Sequence, residues 1–275
     1  MTRPMRRTRR TLQVAGAGAA ALLALTACSS SDSDSGSAKS GSSTSSSSPK
    51  LSGEVTVFAA ASLQESFTAL GKEFEKQHPG TTVNFSFGGS DSLAAGITGG
   101  APADVFASAS PKTMKIVTDR KDNATAPATF ARNQLEIATL PGNPDKVASL
   151  KDLTGSGLKV VLCDKTVPCG AAAQKALAAG KLKLTPVSYE QDVKSALNKV
   201  VLKEADAAVV YKTDVKAAGS KVEGVDFPES AAAVNDYPMT LLKNAKNPEA
   251  AKAFMALVLS AEGQKVLTET GFRTP

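Results

Sequence analysis

From Glu54 to the end of the chain, short apolar runs alternate with stretches whose apolar residues recur every three or four positions. Glu54–Ala59 reads as a buried strand, and Leu63, Phe67, Leu70 and Phe74 then mark one face of an amphipathic helix. Thr81–Phe87 alternates and is β-rich, which predicts a second strand, with a helical pattern from Asp91. Asp104–Ala107 reads as a short strand, and Ser110-Pro111 supplies a helix N-cap and first helical residue. Further strands are predicted at 135–140, 158–163, 184–189, 207–211 and 222–227, and helices at 170–179, 192–201, 248–259 and 262–270. This order predicts an α/β fold of mostly parallel sheets flanked by helices.

The pattern before Glu54 is different. Val14–Ala27 is an apolar run that would rise only about 21 Å as a helix, short of the roughly 30 Å hydrocarbon core. Five arginines precede it (Arg3, Arg6, Arg7, Arg9 and Arg10), so residues 1–27 read as a cleavable export signal. Arg9-Arg10 loosely resembles a twin-arginine signal, which leaves the export route open. Leu25-Thr26-Ala27-Cys28 resembles the lipobox of bacterial lipoproteins. That resemblance implies acylation of Cys28 and attachment to the outer face of the cytoplasmic membrane. Residues 28–53 are dominated by serine with little to bury, and predict a flexible tether of roughly 25–30 Å reach.

Charge then changes meaning. The formal net charge of +6 suggests a polyanion partner, but the five leading arginines account for most of it. From Cys28 onward 27 basic residues face 26 acidic ones, which predicts no nucleic-acid partner. With Cys28 lipidated, Cys163 and Cys169 remain as an even pair outside the cytoplasm, and a disulfide is expected. Two cysteines and one distant histidine make poor zinc arithmetic, and His78, in Gln77-His78-Pro79-Gly80, reads as a loop residue. The Ser-x-x-Lys and Gly-x-Ser-x-Gly signatures are absent, and no nucleophile–base pairing stands out. Asp104, at a strand start, is expected to make structural hydrogen bonds. No catalytic residue and no cofactor are predicted.

Binding signals lie at the strand-to-helix junctions, where open α/β sheets place their ligands. Ser62 follows the first strand and Ser90 follows Phe87-Gly88-Gly89, both at expected N-caps. A helix start offers unpaired N–H groups to an anion, and a serine adds a hydroxyl donor. Each serine taken alone is explained by capping, and Ser62-Leu63-Gln64-Glu65 fits a capping box.

Three segments occur in order at close spacing: Val57-Phe58-Ala59-Ala60-Ala61-Ser62-Leu63, Phe85-Ser86-Phe87-Gly88-Gly89-Ser90 and the run from Gly100 to Ala109. Val167-Pro168-Cys169-Gly170, Gln191-Asp192-Val193-Lys194, Val209-Val210-Tyr211 and Gly271-Phe272 follow. Together they resemble the motifs of the extracytoplasmic molybdate-binding proteins of molybdate ABC transporters. The resemblance implies a two-lobed type II periplasmic-binding-protein fold, with 54–133 and 234–275 forming one lobe and 134–233 the other. It implies an oxyanion in the cleft, held by the hydroxyls and amides of Ser62 and Ser90, the amides of Cys169 and Val193, and the phenol of Tyr211. Cys169 departs from the family's commoner small residue, but a backbone donor survives that change. The implied ligand is molybdate or tungstate, with no metal bound directly by side chains. The implied partners are a molybdate ABC permease and its ATPase, served by a monomer.

A set made only of uncharged donors suits a fully deprotonated anion. Hydrogen phosphate would bring its own O–H with no acceptor waiting, at a cost of about 1–3 kcal/mol. A receptor for sulfate, phosphate or another oxyanion, and an enzyme on the same architecture, are the alternatives.

Overall fold

The computed structural model describes residues 50–155 and 157–275; the expected signal segment, Cys28 and nearly all of the expected tether lie outside them. Two five-stranded sheets carry the architecture. The first is ordered β2-β1-β3-β10-β4, from β1 (Gly53–Ala60), β2 (Thr81–Gly88), β3 (Val105–Ala107), β4 (Ala128–Asn133) and β10 (Asn235–Leu241). The second is ordered β7-β6-β8-β5-β9, from β5 (Leu135–Thr139), β6 (Val160–Cys163), β7 (Ser188–Glu190), β8 (Ala207–Tyr211) and β9 (Glu223–Val225). The sheets are mixed: β10 runs against both its neighbours in one, and β5 against both of its own in the other.

Alternation explains how the first sheet is covered. Val55, Val57 and Ala59 of β1 face a core shared with helices α1 (Gln64–Gln77), α7 (Pro248–Leu259) and α8 (Ala261–Glu269). Phe58 points to the opposite face, against α2 (Ser90–Thr98) and α3 (Pro111–Asp119). Phe67, Phe74 and Phe254 are fully buried and meet edge to face, at ring separations of 5.7–5.8 Å. The second sheet buries its apolar strands against α4 (Pro168–Ala179) and α5 (Val193–Val201), with α6 (Lys212–Ala218) following β8. Asp104 does structural work, accepting from the backbone of Thr56 at 2.7 Å and Asn247 at 3.1 Å.

Differences from the sequence expectation have local causes. Gly53 already pairs in β1, one residue ahead of the expected start. The strand expected at 184–189 shrinks to 188–190 because Pro186 has no N–H to give the ladder. Strands β4 and β10 and helix α6 were not anticipated. Pro238 argues against an interior strand, yet β10 is interior; a register shift at Tyr237/Pro238 absorbs the missing donor. His78 is half-buried, its ring 4.6 Å from that of Phe74, not a fully exposed loop residue.

The chain passes from the first sheet to the second through Gln134 alone, between β4 and β5, and returns at Val234 before β10. The crossovers lie side by side: Gln134 Nε2 donates to Ser230 Oγ at 2.7 Å, and Asn133 pairs with Asn235 in the ladder.

Candidate functional site

All five residues implied as ligands line one cavity of about 20 Å³ between the two sheets, with Ala60, Ala61, Gly88, Gly89, Ala109, Val167, Pro168 and Asp192. That is little more than a single water needs, far below the volume of an organic-ligand pocket. Ser62, Ser90, Cys169, Val193 and Tyr211 are each at most 3% exposed, so the lobes are closed over the space. A Cβ on Gly89 would meet the Gln191 carbonyl across the seam at 2.5 Å, so only glycine permits this approach.

The serines do not cap their helices as expected. Ser62 sits inside a 3₁₀ turn (Ala61–Leu63) and makes no cap bond, and the proposed partner Glu65 pairs instead with Lys194 at 2.8 Å. Gly89 is the N-cap of α2, and Ser90 is its first residue. Tertiary partners have won both hydroxyls: Ser62 Oγ is 2.9 Å from Tyr237 Oη, and Ser90 Oγ accepts from the Ala109 N–H at 3.0 Å. Both serines thus face the cavity with helix-start amides beside them.

Across the cavity, Pro168 opens α4 and Cys169 is its second residue, so the Cys169 N–H has no intrahelical acceptor. Cys163, which ends β6, and Cys169 are bonded, with Cα atoms 5.8 Å apart, which ties that first turn to the sheet. Val193 opens α5, and the Asp192 cap accepts from Ser195 N at 2.9 Å, leaving the Val193 amide without a helix partner. Tyr211 ends β8 with its phenol at the cavity, where it receives a bond from Asn235 Nδ2 at 2.8 Å.

The chain matches the family model for bacterial extracellular solute-binding proteins over residues 55–273. It is 44% identical over 221 residues to the molybdate-binding protein ModA of Mycobacterium tuberculosis, covering 80% of this chain and 85% of that one. The chain belongs to the bacterial extracellular solute-binding protein family. Another relative, the Bacillus subtilis protein named "Putative ABC transporter substrate-binding lipoprotein YvgL", is 33% identical over 79% of this chain and 85% of its own. Among solved structures, the periplasmic molybdate-binding protein of Azotobacter vinelandii shares the fold (TM-score 0.71, 21% identity, 80% of this chain and 99% of that one).

A solute-binding protein is a receptor, not an enzyme, and the charges around this cavity suit that role. Among the described residues, Asp192 is the one charged residue lining it, and its carboxylate is committed to Ser195. Lys194, next to Val193, turns away to Glu65 of the first lobe and to Asp214, 3.2 Å away in an ion pair without a well-aligned hydrogen bond. Burial opposes the Lys194 charge, but Asp214 and Glu65 outweigh it and hold its pKa above the usual value. Burial pushes Asp214 up to about 6, against the pull of Lys194. Burial, reinforced by Tyr237 and Asp214, keeps the Tyr211 phenol well above its ordinary value, so it is a proton donor at any physiological pH.

Sequence reasoning missed the polar layer behind the cavity: Asn133, Asn235 and Tyr237. The signal available was the i, i+2 spacing of Asn235 and Tyr237, which places both on one face of a strand. Pro238 concealed that strand.

Proposed function

We propose that this chain captures molybdate between its lobes, through Ser62, Ser90, Cys169, Val193 and Tyr211, and delivers it to an ABC permease. The observation that carries the reading is convergence: hydroxyls and helix-start amides from both lobes meet at one small, closed cavity, in a chain 44% identical to a protein named for binding molybdate. Hydrogen bonds to a charged partner contribute about 1.5–3 kcal/mol each. Five to seven of them are enough for micromolar to nanomolar affinity after dehydration of the ion. Uncharged donors hold a dianion without attracting carboxylates or chloride, and they let it leave when the lobes part. Tungstate, close to molybdate in size, binds too.

The same reading attaches the receptor by lipid at Cys28 to the outer face of the cytoplasmic membrane. The lipobox-like Leu25-Thr26-Ala27-Cys28 supports it, as does the lipoprotein named among the relatives. Isothermal titration at neutral pH tests the function. Molybdate and tungstate are expected to bind at micromolar Kd or tighter, with phosphate at least about tenfold weaker. No heat with molybdate, or phosphate binding of equal strength, would retire the proposal.

A further inference from the structure

The side chains behind the cavity are not proposed as ligands, yet they hydrogen-bond the hydroxyls that are. We infer that Asn133 and Tyr237 behind Ser62, and Asn235 behind Tyr211, are positioning residues. Each occupies one acceptor site of the hydroxyl in front of it, turns the hydroxyl protons toward the cavity, and so biases the site toward oxyanions that carry no proton. The inference rests on the anion-binding reading of the site.

Both asparagines are fixed in orientation by backbone groups. Asn133 Oδ1 accepts from the Gln134 N–H at 2.9 Å, so its nitrogen must be the atom facing Thr213 Oγ1 (2.8 Å) and Tyr237 Oη (3.4 Å). An amide NH₂ only donates, so the Tyr237 oxygen accepts from it. The Tyr237 proton is then free for Ser62 Oγ at 2.9 Å, and the serine keeps its own proton for the cavity. Asn235 Nδ2 is 2.8 Å from the Ala109 carbonyl, which only accepts, so this orientation is also settled. The same nitrogen donates to Tyr211 Oη at 2.8 Å and occupies that oxygen as an acceptor. Ser90 follows the same rule with a backbone donor, accepting from Ala109 N at 3.0 Å.

Three hydroxyls thus receive a bond from behind, from three different donors, which leaves the Ser62 and Ser90 protons for the guest, while the Tyr211 proton faces the guest in competition with the Tyr237 oxygen. Asn133, Asn235, Ser62, Ser90, Tyr211 and Tyr237 are all buried, so water does not scramble the arrangement. Asn133 and Asn235 also sit where the chain crosses between lobes. Within the network, the Asn235–Tyr211 and Asn133–Thr213 bonds join the two lobes.

The test titrates wild-type protein and Tyr237→Phe with molybdate, sulfate and inorganic phosphate at neutral pH, phosphate being read by competition. The ring keeps its packing against Phe272 and Phe130. Molybdate and sulfate are expected to weaken about tenfold and phosphate to hold or improve, so that discrimination narrows by about the same factor. A uniform loss for all three anions would mean a merely structural role and would overturn the inference. The Ser62→Ala background decides even where phosphate is too weak to read. There Tyr237→Phe is expected to change molybdate affinity less than about twofold, because the hydroxyl it orients is gone. A further tenfold loss in that background would overturn the inference. Should Tyr237→Phe not fold, Asn235→Leu in wild-type and Tyr211→Phe backgrounds gives the same comparison. Failure of wild-type protein to bind molybdate or sulfate would sink the reading of the site itself, a separate result from a uniform loss in the variant.

Discussion

The two lobes equip the cavity in different ways. The first contributes the Ser62 and Ser90 side chains, whose hydroxyls are held by tertiary partners on Tyr237 and Ala109. The second contributes mainly main chain, the amides of Cys169 and Val193, held by helix starts, an Asp192 cap and a disulfide. Tyr211 adds a phenol to that lining, and even that phenol is held by Asn235 of the first lobe. A side-chain donor is lost with one codon, whereas a backbone donor survives any substitution that keeps the turn. On the proposed reading, function on one side is therefore written in residue identity, and on the other in local backbone shape.

Substitutions can break this contrast. Replacing both Ser62 and Ser90 by alanine removes two hydroxyl bonds to a dianion, and molybdate affinity should fall by about 10²–10⁴ in titration. An undiminished affinity would remove the first lobe from the account.

The second lobe has its own weak point in Asp214, fully buried where α6 begins and accepting from Tyr211 N at 3.2 Å. Its pKa, raised from 3.8 to about 6, means that the folded state holds a proton more tightly than the unfolded chain. The associated stability is complete below about pH 4 and is lost as pH rises through about 6, amounting to roughly 3 kcal/mol. Urea unfolding from pH 4 to 8 should show this decline, and Asp214→Asn should flatten it. An unchanged slope in the variant would show that Asp214 titrates normally.

Smaller effects sharpen the contrast. Removing the disulfide by Cys163→Ser with Cys169→Ser should lower stability by about 2 kcal/mol, by the loop-entropy argument, while molybdate affinity stays within about fivefold because the amide remains. Val193→Ala should move affinity by less than about twofold. A hundredfold loss in either would mean that side chains, not main chain, serve the second lobe.

Much of this was legible in the chain. The i, i+4, i+7 spacing of α1, the alternation in β2 and the Ser110-Pro111 helix start are local signals, and the structure follows them. The five residues implied by family likeness came from order and spacing of motifs, and they line one cavity. Two kinds of feature were hidden. Strand β10 carries a proline and pairs only with segments more than 100 residues away, so neither propensity nor period revealed it. The serine hydroxyls looked like caps because capping is the local use of a serine before a helix. Whether a distant phenol or amide competes for them is invisible along the chain.

By itself the sequence determined the alternation of strands and helices, the near-neutral body behind an arginine-rich start, and donors at strand-to-helix junctions. These depend on neighbours within a few residues and on simple counting. Tertiary structure alone decided that Asn133, Asn235 and Tyr237 stand behind those hydroxyls, and which partners each hydroxyl meets. Hydrogen-bond direction is a property of partners in space. Those partners meet only when β4 and β10, paired side by side, bring the ends of the chain's two crossovers together.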